Sequence, residues 1–292
     1  MNIIKLRNIE LENGEVLGYR ECGESENTVV LLHGNMTSSK HFDLLMLELI
    51  PKYKVYAIDL RGFGVSTYNN PIDSLKEFAN DVEEVIGKLD INRFILAGWS
   101  TGGGIAMHIA ADMSKRIKKL ILIDSVGISG YPIFKKDQNG APILTELLKT
   151  KEDIKNDLVQ VKPVLDALKN KDKEFYRQLF NMIIYNVNKP DNQKYEEYLD
   201  DMLTQRNLVD VDYALTRFNI SNNSNGLVEG TGEVEKIECP TIVVQGDKDL
   251  VVPIQMAQGI VNGIGINAHL EIFENSGHNP MVDNLEKVVE LF

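Results

Sequence analysis

Leu96-Ala97-Gly98-Trp99-Ser100-Thr101-Gly102-Gly103-Gly104 is the stretch that decides the fold. It follows an apolar run, Arg93 to Ala97, that reads as a buried strand, and it precedes Ile105 to Ala111, which reads as the start of a helix. Between them, Gly98-Trp99-Ser100-Thr101-Gly102 has the spacing G-x-S-x-G. Glycines two residues either side of a serine relieve crowding at a tight strand-to-helix turn, and the turn lifts the hydroxyl above the sheet edge as a nucleophile. The competing reading is a glycine-rich turn in which Ser100 merely caps the next helix, since serine is a favoured N-cap residue. A nucleophile requires a base and an acid elsewhere in the chain; a helix cap requires neither.

Upstream of this turn, Ile3 to Leu11, Val16 to Glu21, Thr28 to Leu32 and Lys54 to Asp59 read as strands, with Asn13-Gly14 as a hairpin turn between the first two. His41 to Ile50 reads as a helix. So does the stretch opened by the capping box Ser74-Leu75-Lys76-Glu77, whose apolar stripe is Leu75, Phe78, Ala79, Val82, Val85, Ile86 and Leu89. Lys119 to Ile123 is a further strand. Nearly continuous apolar strands alternating with amphipathic helices predict an α/β fold, with a mostly parallel sheet covered on both faces and the opening hairpin as an antiparallel edge. Ligands of such sheets sit outside the carboxyl ends of the strands. His33, Asp59, Ser100 and Asp124 fall at or just past those ends.

From Gly127 to Gly232 the alternation stops, and no strand is expected. Thr145 to Lys149, Val161 to Lys169, Glu174 to Val187, Tyr195 to Thr204 and Val209 to Phe218 read as helices instead. The α/β pattern then resumes with Thr241 to Gln245 and Leu270 to Phe273 as strands, and Pro253 to Val261 and Leu285 to Phe292 as helices. The expected organisation is a core of residues 1–126 and 233–292 interrupted by a helical cap, residues 127–232, lying over the active edge of the sheet.

Composition narrows the function. With 292 residues the chain buries about three quarters of its unfolded surface, and 43% apolar with 25% charged residues is the balance of a soluble globular protein. A net charge of −12 excludes a nucleic-acid partner, which needs a basic face. Met1-Asn2-Ile3-Ile4-Lys5 lacks the basic start of a secretion signal and no run approaches the length of a membrane span, so neither is expected. Cys22 and Cys239 are far apart and form no C-x-x-C, which argues against a disulfide framework or zinc site and for reduced thiols in the cytoplasm. Gly263-Ile264-Gly265-Ile266-Asn267-Ala268 fits G-x-G-x-x-A but follows a helix and precedes a strand, the reverse of the dinucleotide-binding context. With no phosphate-binding loop, H-E-x-x-H or calcium loop either, no cofactor and no metal are expected.

The partners that a serine nucleophile needs come late. The strand Thr241 to Gln245 ends in Gly246-Asp247-Lys248-Asp249, and the strand Leu270 to Phe273 ends in Glu274-Asn275-Ser276-Gly277-His278. Serine, acid, histidine is one of the chain orders in which a catalytic triad occurs. Asp247 is the neighbouring candidate for the acid and Asp124 a third. His41, His108 and His269 read as surface or packing residues, and His33 as a residue that shapes the loop beside the site.

Taken together, these separated motifs resemble the α/β-hydrolase family in its capped, esterase-like branch, over both core segments. The resemblance implies Ser100 as nucleophile, His278 as base and Asp249 as the acid, three residues after the glycine of its loop. It also implies an oxyanion hole made by the backbone N–H groups of Asn35, after His33-Gly34, and Thr101. Asp59-Leu60-Arg61-Gly62-Phe63-Gly64-Val65-Ser66 matches the family's D-x-R-G-x-G-x-S stretch, read as structural. The loop His33 to Ser39 is similar to that of haloalkane dehalogenases, but these and epoxide hydrolases use an aspartate where Ser100 stands. The expected function is a serine esterase acting on a small-molecule or oligomeric carboxylic ester. The elbow, Ser125-Val126-Gly127-Ile128-Ser129-Gly130-Tyr131-Pro132 and the cap also resemble bacillus-type hydrolases of intracellular poly(3-hydroxybutyrate). Lactone or carbon–carbon bond hydrolysis with the same triad, and a weakly catalytic ligand receptor, are the other readings.

Overall fold

The computed structural model describes residues 3–292; Met1 and Asn2, the start of the opening pentad, lie outside them. Among the described residues the strands are β1 (Lys5–Glu10), β2 (Val16–Cys22), β3 (Thr28–Leu32), β4 (Lys54–Ile58), β5 (Phe94–Trp99), β6 (Ile117–Ile123), β7 (Phe134–Lys136), β8 (Pro142–Leu147), β9 (Thr241–Gly246) and β10 (Ala268–Phe273). The first six and the last two form one sheet in the order β1-β2-β4-β3-β5-β6-β9-β10. β1 and β2, and β2 and β4, pair antiparallel; every other pair in this sheet is parallel. The register sets Leu32 against Gly98 and Trp99 against Ile123. The strands therefore end level, and His33, Ser100 and Asp124 emerge along one edge.

The helices are α1 (Asp43–Leu49), α2 (Leu75–Lys88), α3 (Thr101–Met113), α4 (Lys151–Lys155), α5 (Lys162–Asn170), α6 (Lys173–Ile183), α7 (Asn192–Met202), α8 (Leu208–Arg217), α9 (Ile254–Ile264), α10 (Pro280–Asp283) and α11 (Leu285–Glu290). Side chains alternate across the pleat. On β3, Val30 and Leu32 enter the apolar cluster built with α2, α3 and α9, whereas Val29 and Leu31 enter the one built with α1 and α11. This double coverage explains why the central strands carry almost no polar side chain. None of the helices described is long and apolar enough to cross a membrane.

Between β6 and β9 the chain leaves the sheet and folds mainly as α4 to α8. Apolar residues of α4 to α7, among them Ile154, Val164, Tyr176 and Leu199, join the second cluster, while Val211, Ala214 and Leu215 of α8 join the first. Polar ties pin this segment to the start of α1 and to the loop after β4. Asp43 accepts from Tyr198 Oη at 2.6 Å and from Lys194 Nζ at 2.7 Å, and Asn207 Nδ2 donates to the Arg61 carbonyl at 2.7 Å.

Two expectations fail here. Residues 127–232 do contain strands: β7 and β8 form an antiparallel hairpin. Thr145 to Lys149 is accordingly not a helix; its first three residues end β8, and the next helix starts at Lys151. The hairpin is largely exposed, so its strands lack the buried apolar run that marks the others. The signal was in its turn: Gly140 has φ +81°, and Asp137 Oδ1 accepts from the N–H groups of Asn139 and Ala141.

Candidate active site

Ser100 stands between β5 and α3 with φ +55° and ψ −118°, a backbone conformation that side-chain-bearing residues rarely adopt. Its neighbours explain how the turn closes. A Cβ on Gly98 would lie 2.3 Å from the Gly102 carbonyl oxygen, and one on Gly102 would lie 2.2 Å from that of Leu32. Ser100 occupies the N-cap position of α3, yet its hydroxyl makes no capping hydrogen bond. The helix-cap reading therefore has no support in the geometry.

His278 sits in the loop between β10 and α10, and Asp249 in the loop after β9. His278 Nδ1 and Asp249 Oδ2 are 2.9 Å apart, and both side chains are buried. The two loops touch through glycine: a Cβ on Gly246 would meet the Gly277 carbonyl oxygen at 2.4 Å. Trp99 Nε1 donates to the His278 carbonyl at 2.7 Å, which ties the histidine loop to the strand that carries Ser100. Asp249 is fixed by four donors in all. Oδ1 accepts from the N–H groups of Val251 (2.7 Å) and Val252 (3.0 Å), and Oδ2 from His278 and from Gln245 Nε2 (3.0 Å). Burial raises its carboxyl, but the His278 charge and these hydrogen bonds outweigh burial and hold it below the usual carboxylate range.

Asp247, the rival acid, accepts from the Ser276 N–H instead and helps join the two loops. Asp124 ends beside the pair: single ligand atoms of Asp124, Asp249 and His278 all lie within 4.8 Å of one another. Gln245 was given no role from the sequence, and Asp124 was read there only as a third candidate for the acid. A glutamine at the end of an otherwise apolar buried strand was the signal for the first, because a buried amide needs a partner.

On the opposite side of Ser100 lies the loop after β3. The Leu60 N–H donates to His33 Nε2 at 3.0 Å, so Nδ1 carries the hydrogen and donates to the Gly34 carbonyl at 2.8 Å. Burial pushes the ring down to about 4, so it stays neutral in this role. A Cβ on Gly34 would come within 2.9 Å of Ser100 Cβ, which explains why glycine precedes Asn35. The Asn35 side chain is locked: Oδ1 accepts from the Met36 N–H at 3.0 Å and Gln205 Nε2 at 2.8 Å, and Nδ2 donates to Asp212 Oδ1 at 3.0 Å. Thr101 is the first residue of α3, where backbone N–H groups have no partner within the helix. The Asp59 to Ser66 stretch braces this side, with Asp59 accepting from Ser39 and Val65 N–H groups and Arg61 paired to Asp81 at 2.7 Å.

Ser100 and His278 line a cavity of about 440 Å³. Val164, Phe180 and Ile184 from the inserted segment and Val126 from the sheet loops make its wall apolar. Lys136, Gln160 and Asp212 add polar groups to that wall; burial pushes the Asp212 carboxyl up to about 7 against the hydrogen bond from Asn35. No sequence signal marked it, since Asp212 lies between apolar neighbours on a helix whose orientation only the packing sets.

The comparisons with known proteins agree with this architecture. A family model described as the alpha/beta hydrolase fold matches residues 27–285. A 2-hydroxy-6-oxononadienedioate/2-hydroxy-6-oxononatrienedioate hydrolase of Cupriavidus pinatubonensis is 27% identical, over 88% of this chain and 82% of its own. The AB hydrolase superfamily protein YisY of Bacillus subtilis is 28% identical, over 90% of this chain and 89% of its own. The solved esterase from Exiguobacterium antarcticum superposes with a TM-score of 0.73 at 22% identity, covering 97% of this chain and 96% of its own. With eight strands in this order, a serine at the turn after the fifth and a family match over nearly the whole length, the chain belongs to the α/β-hydrolase fold family.

Proposed function

We propose that this α/β hydrolase is a serine esterase that cleaves carboxylic esters through an acyl-enzyme. The observation that carries the reading is Ser100, held at φ +55° in a cavity it shares with His278, whose Nδ1 is 2.9 Å from the Asp249 carboxylate. Ser100 Oγ attacks the acyl carbon while its proton passes to His278 Nε2, and Asp249 stabilises the resulting imidazolium. The backbone N–H groups of Asn35 and Thr101 receive the oxyanion, each contributing about 3 kcal/mol of transition-state stabilisation. The alcohol departs with the proton from His278. Water, deprotonated by the same ring, then releases the acid from Ser100. Residues 127–232 act as the cap that supplies the apolar wall and selects the acyl group. The free thiols of Cys22 and Cys239 support a cytoplasmic location within the same reading.

Ser100→Ala is expected to lower kcat for nitrophenyl esters by several orders of magnitude without a change in melting temperature large enough to signal misfolding. A fluorophosphonate probe is expected to label the wild type and not the variant. Wild-type turnover by Ser100→Ala overturns the mechanism, and an unlabelled wild type with no ester turnover favours a ligand receptor.

The Cupriavidus relative favours a second reading, carbon–carbon bond hydrolysis by the same residues, because its name is that of a hydrolase of 2-hydroxy-6-oxononadienedioate and 2-hydroxy-6-oxononatrienedioate. Parallel assays on such a dienedioate, a lactone, soluble esters of graded length and polyhydroxybutyrate granules separate these activities.

A further inference from the structure

Asp124 is the buried acid that this mechanism leaves unused. It follows β6 with φ +42°, a left-handed backbone for a residue other than glycine, and its side chain is fully buried. Oδ1 accepts from the Gly246 N–H at 2.8 Å, so the carboxyl is anchored to the loop that bears Asp249. Oδ2 is buried and meets no hydrogen-bond donor among the described residues. The Asp124 carboxyl as a whole faces acid: one of its oxygens, one of Asp249 and a ring nitrogen of His278 all lie within 4.8 Å of one another, and Asp249 acts on it both as a charge and as a hydrogen-bond partner.

Two carboxyl groups this close in a dry site do not both ionise. Asp249 collects four donors, including two backbone N–H groups and His278, whereas Asp124 collects one. The proton therefore belongs to Asp124. The charges that act most strongly on it, Asp249 and then Asp283, are both acids and disfavour its ionised form. Burial first, and the Asp249 charge second, push its carboxyl well above the ordinary range.

We propose that Asp124 is a positioning residue that, as a neutral carboxylic acid, donates its Oδ2 proton to the Asp249 carboxylate and so fixes the oxygen that Asp249 presents to His278. No proton is transferred; the bond is a standing hydrogen bond that adds a fourth member behind the Ser100, His278 and Asp249 set, and it rests on the esterase reading for its kinetic consequence. It also gives the unpartnered oxygen its partner and gives the strained backbone at Asp124 a purpose.

The test compares two substitutions. Asp124→Ala removes the donor and is expected to lower kcat for a nitrophenyl ester by about tenfold, the order of one charge-assisted hydrogen bond, and to move the acid limb of kcat/KM to higher pH, because Asp249 then keeps more negative charge beside His278. Asp124→Asn retains both the acceptor for Gly246 and a donor for Asp249, and is expected to restore most of the lost kcat with the limb back at its wild-type position. An Asn variant as impaired as the Ala variant, an Ala variant with an unmoved limb, or an Asp249→Asn variant with wild-type kcat each overturns the proposal. A readout free of catalysis covers an Ala variant that does not fold. At mildly alkaline pH, where Asp212 is ionised, difference infrared spectra of wild type minus Asp124→Asn are expected to show the carbonyl stretch of a protonated carboxylic acid. A carboxylate band in its place overturns the assignment, whereas failure of Ser100→Ala to lose activity overturns only the esterase reading.

Discussion

At the scale of single residues, backbone strain is stored at the serine proposed as nucleophile. Ser100 holds φ +55° with ψ −118° because β5 runs straight into α3, and glycine is the residue that takes this conformation without cost. Ser100→Gly is therefore expected to abolish ester turnover while raising stability by about 1 kcal/mol, measured by urea denaturation; a less stable Gly variant contradicts the assignment of strain. Asp212 makes a second residue-level prediction through its proton. Its carboxyl is pushed from an ordinary 3.8 up to about 7 by burial, so across that window the folded state keeps a proton that the unfolded chain releases. Stability then falls as pH rises from one value to the other. Asp212→Asn keeps the acceptor for Asn35 and removes the ionisation, so its melting temperature is expected to gain on wild type at about pH 8 and not at about pH 4. An equal difference at both pH values contradicts a raised carboxyl.

Elements show where sequence patterns carry information and where they lose it. The parallel strands were legible because they are buried on both faces: Val29, Val30, Leu31 and Leu32 are all fully buried, and such runs admit few other readings. Helix α2 announced itself by its capping box and apolar stripe, and it spans Leu75–Lys88. The β7–β8 hairpin was missed because its side chains are mostly exposed, which erases the alternation that solvent-facing strands need to be recognised. How the inserted helices sit on the core rests on pairs far apart in sequence, chiefly Asp43 with Tyr198 and Lys194. Asp43→Ala leaves the buried Tyr198 phenol without its acceptor, while the partly exposed Lys194 ammonium keeps only Glu197 at 3.3 Å. The expected cost is about 2 kcal/mol in global stability, together with faster proteolytic nicking between α6 and α7. A variant within a few tenths of wild type in both assays removes α7 from the anchoring of this segment.

For the whole molecule, the cavity above Ser100 belongs to neither part of the chain alone. Ser100, Val126 and His278 come from the sheet's loops and Val164, Phe180 and Ile184 from the insertion, and about 440 Å³ is enclosed between them. An apolar wall of this kind rewards each methylene it covers by about 0.8 kcal/mol. Along a series of nitrophenyl esters, kcat/KM is therefore expected to rise about fourfold per added methylene of the acyl chain until the cavity is full, and Val164→Trp is expected to move that limit to shorter chains. A flat profile from acetate upward contradicts the cavity as the acyl site.

Residue order alone determined the α/β architecture, the serine at its strand-to-helix turn and the late loops that carry Asp249 and His278, because each is written in local pattern: apolar runs, glycine spacing and the sequence of loops. Tertiary structure alone decided the rest. It brought Asp124 against Asp249, turned Asp212 of α8 toward Asn35 and gave Gln245 its carboxylate. These contacts join residues whose neighbours in sequence say nothing of one another, and their chemistry depends on burial and on the distance between charges, quantities that exist only once the chain has folded.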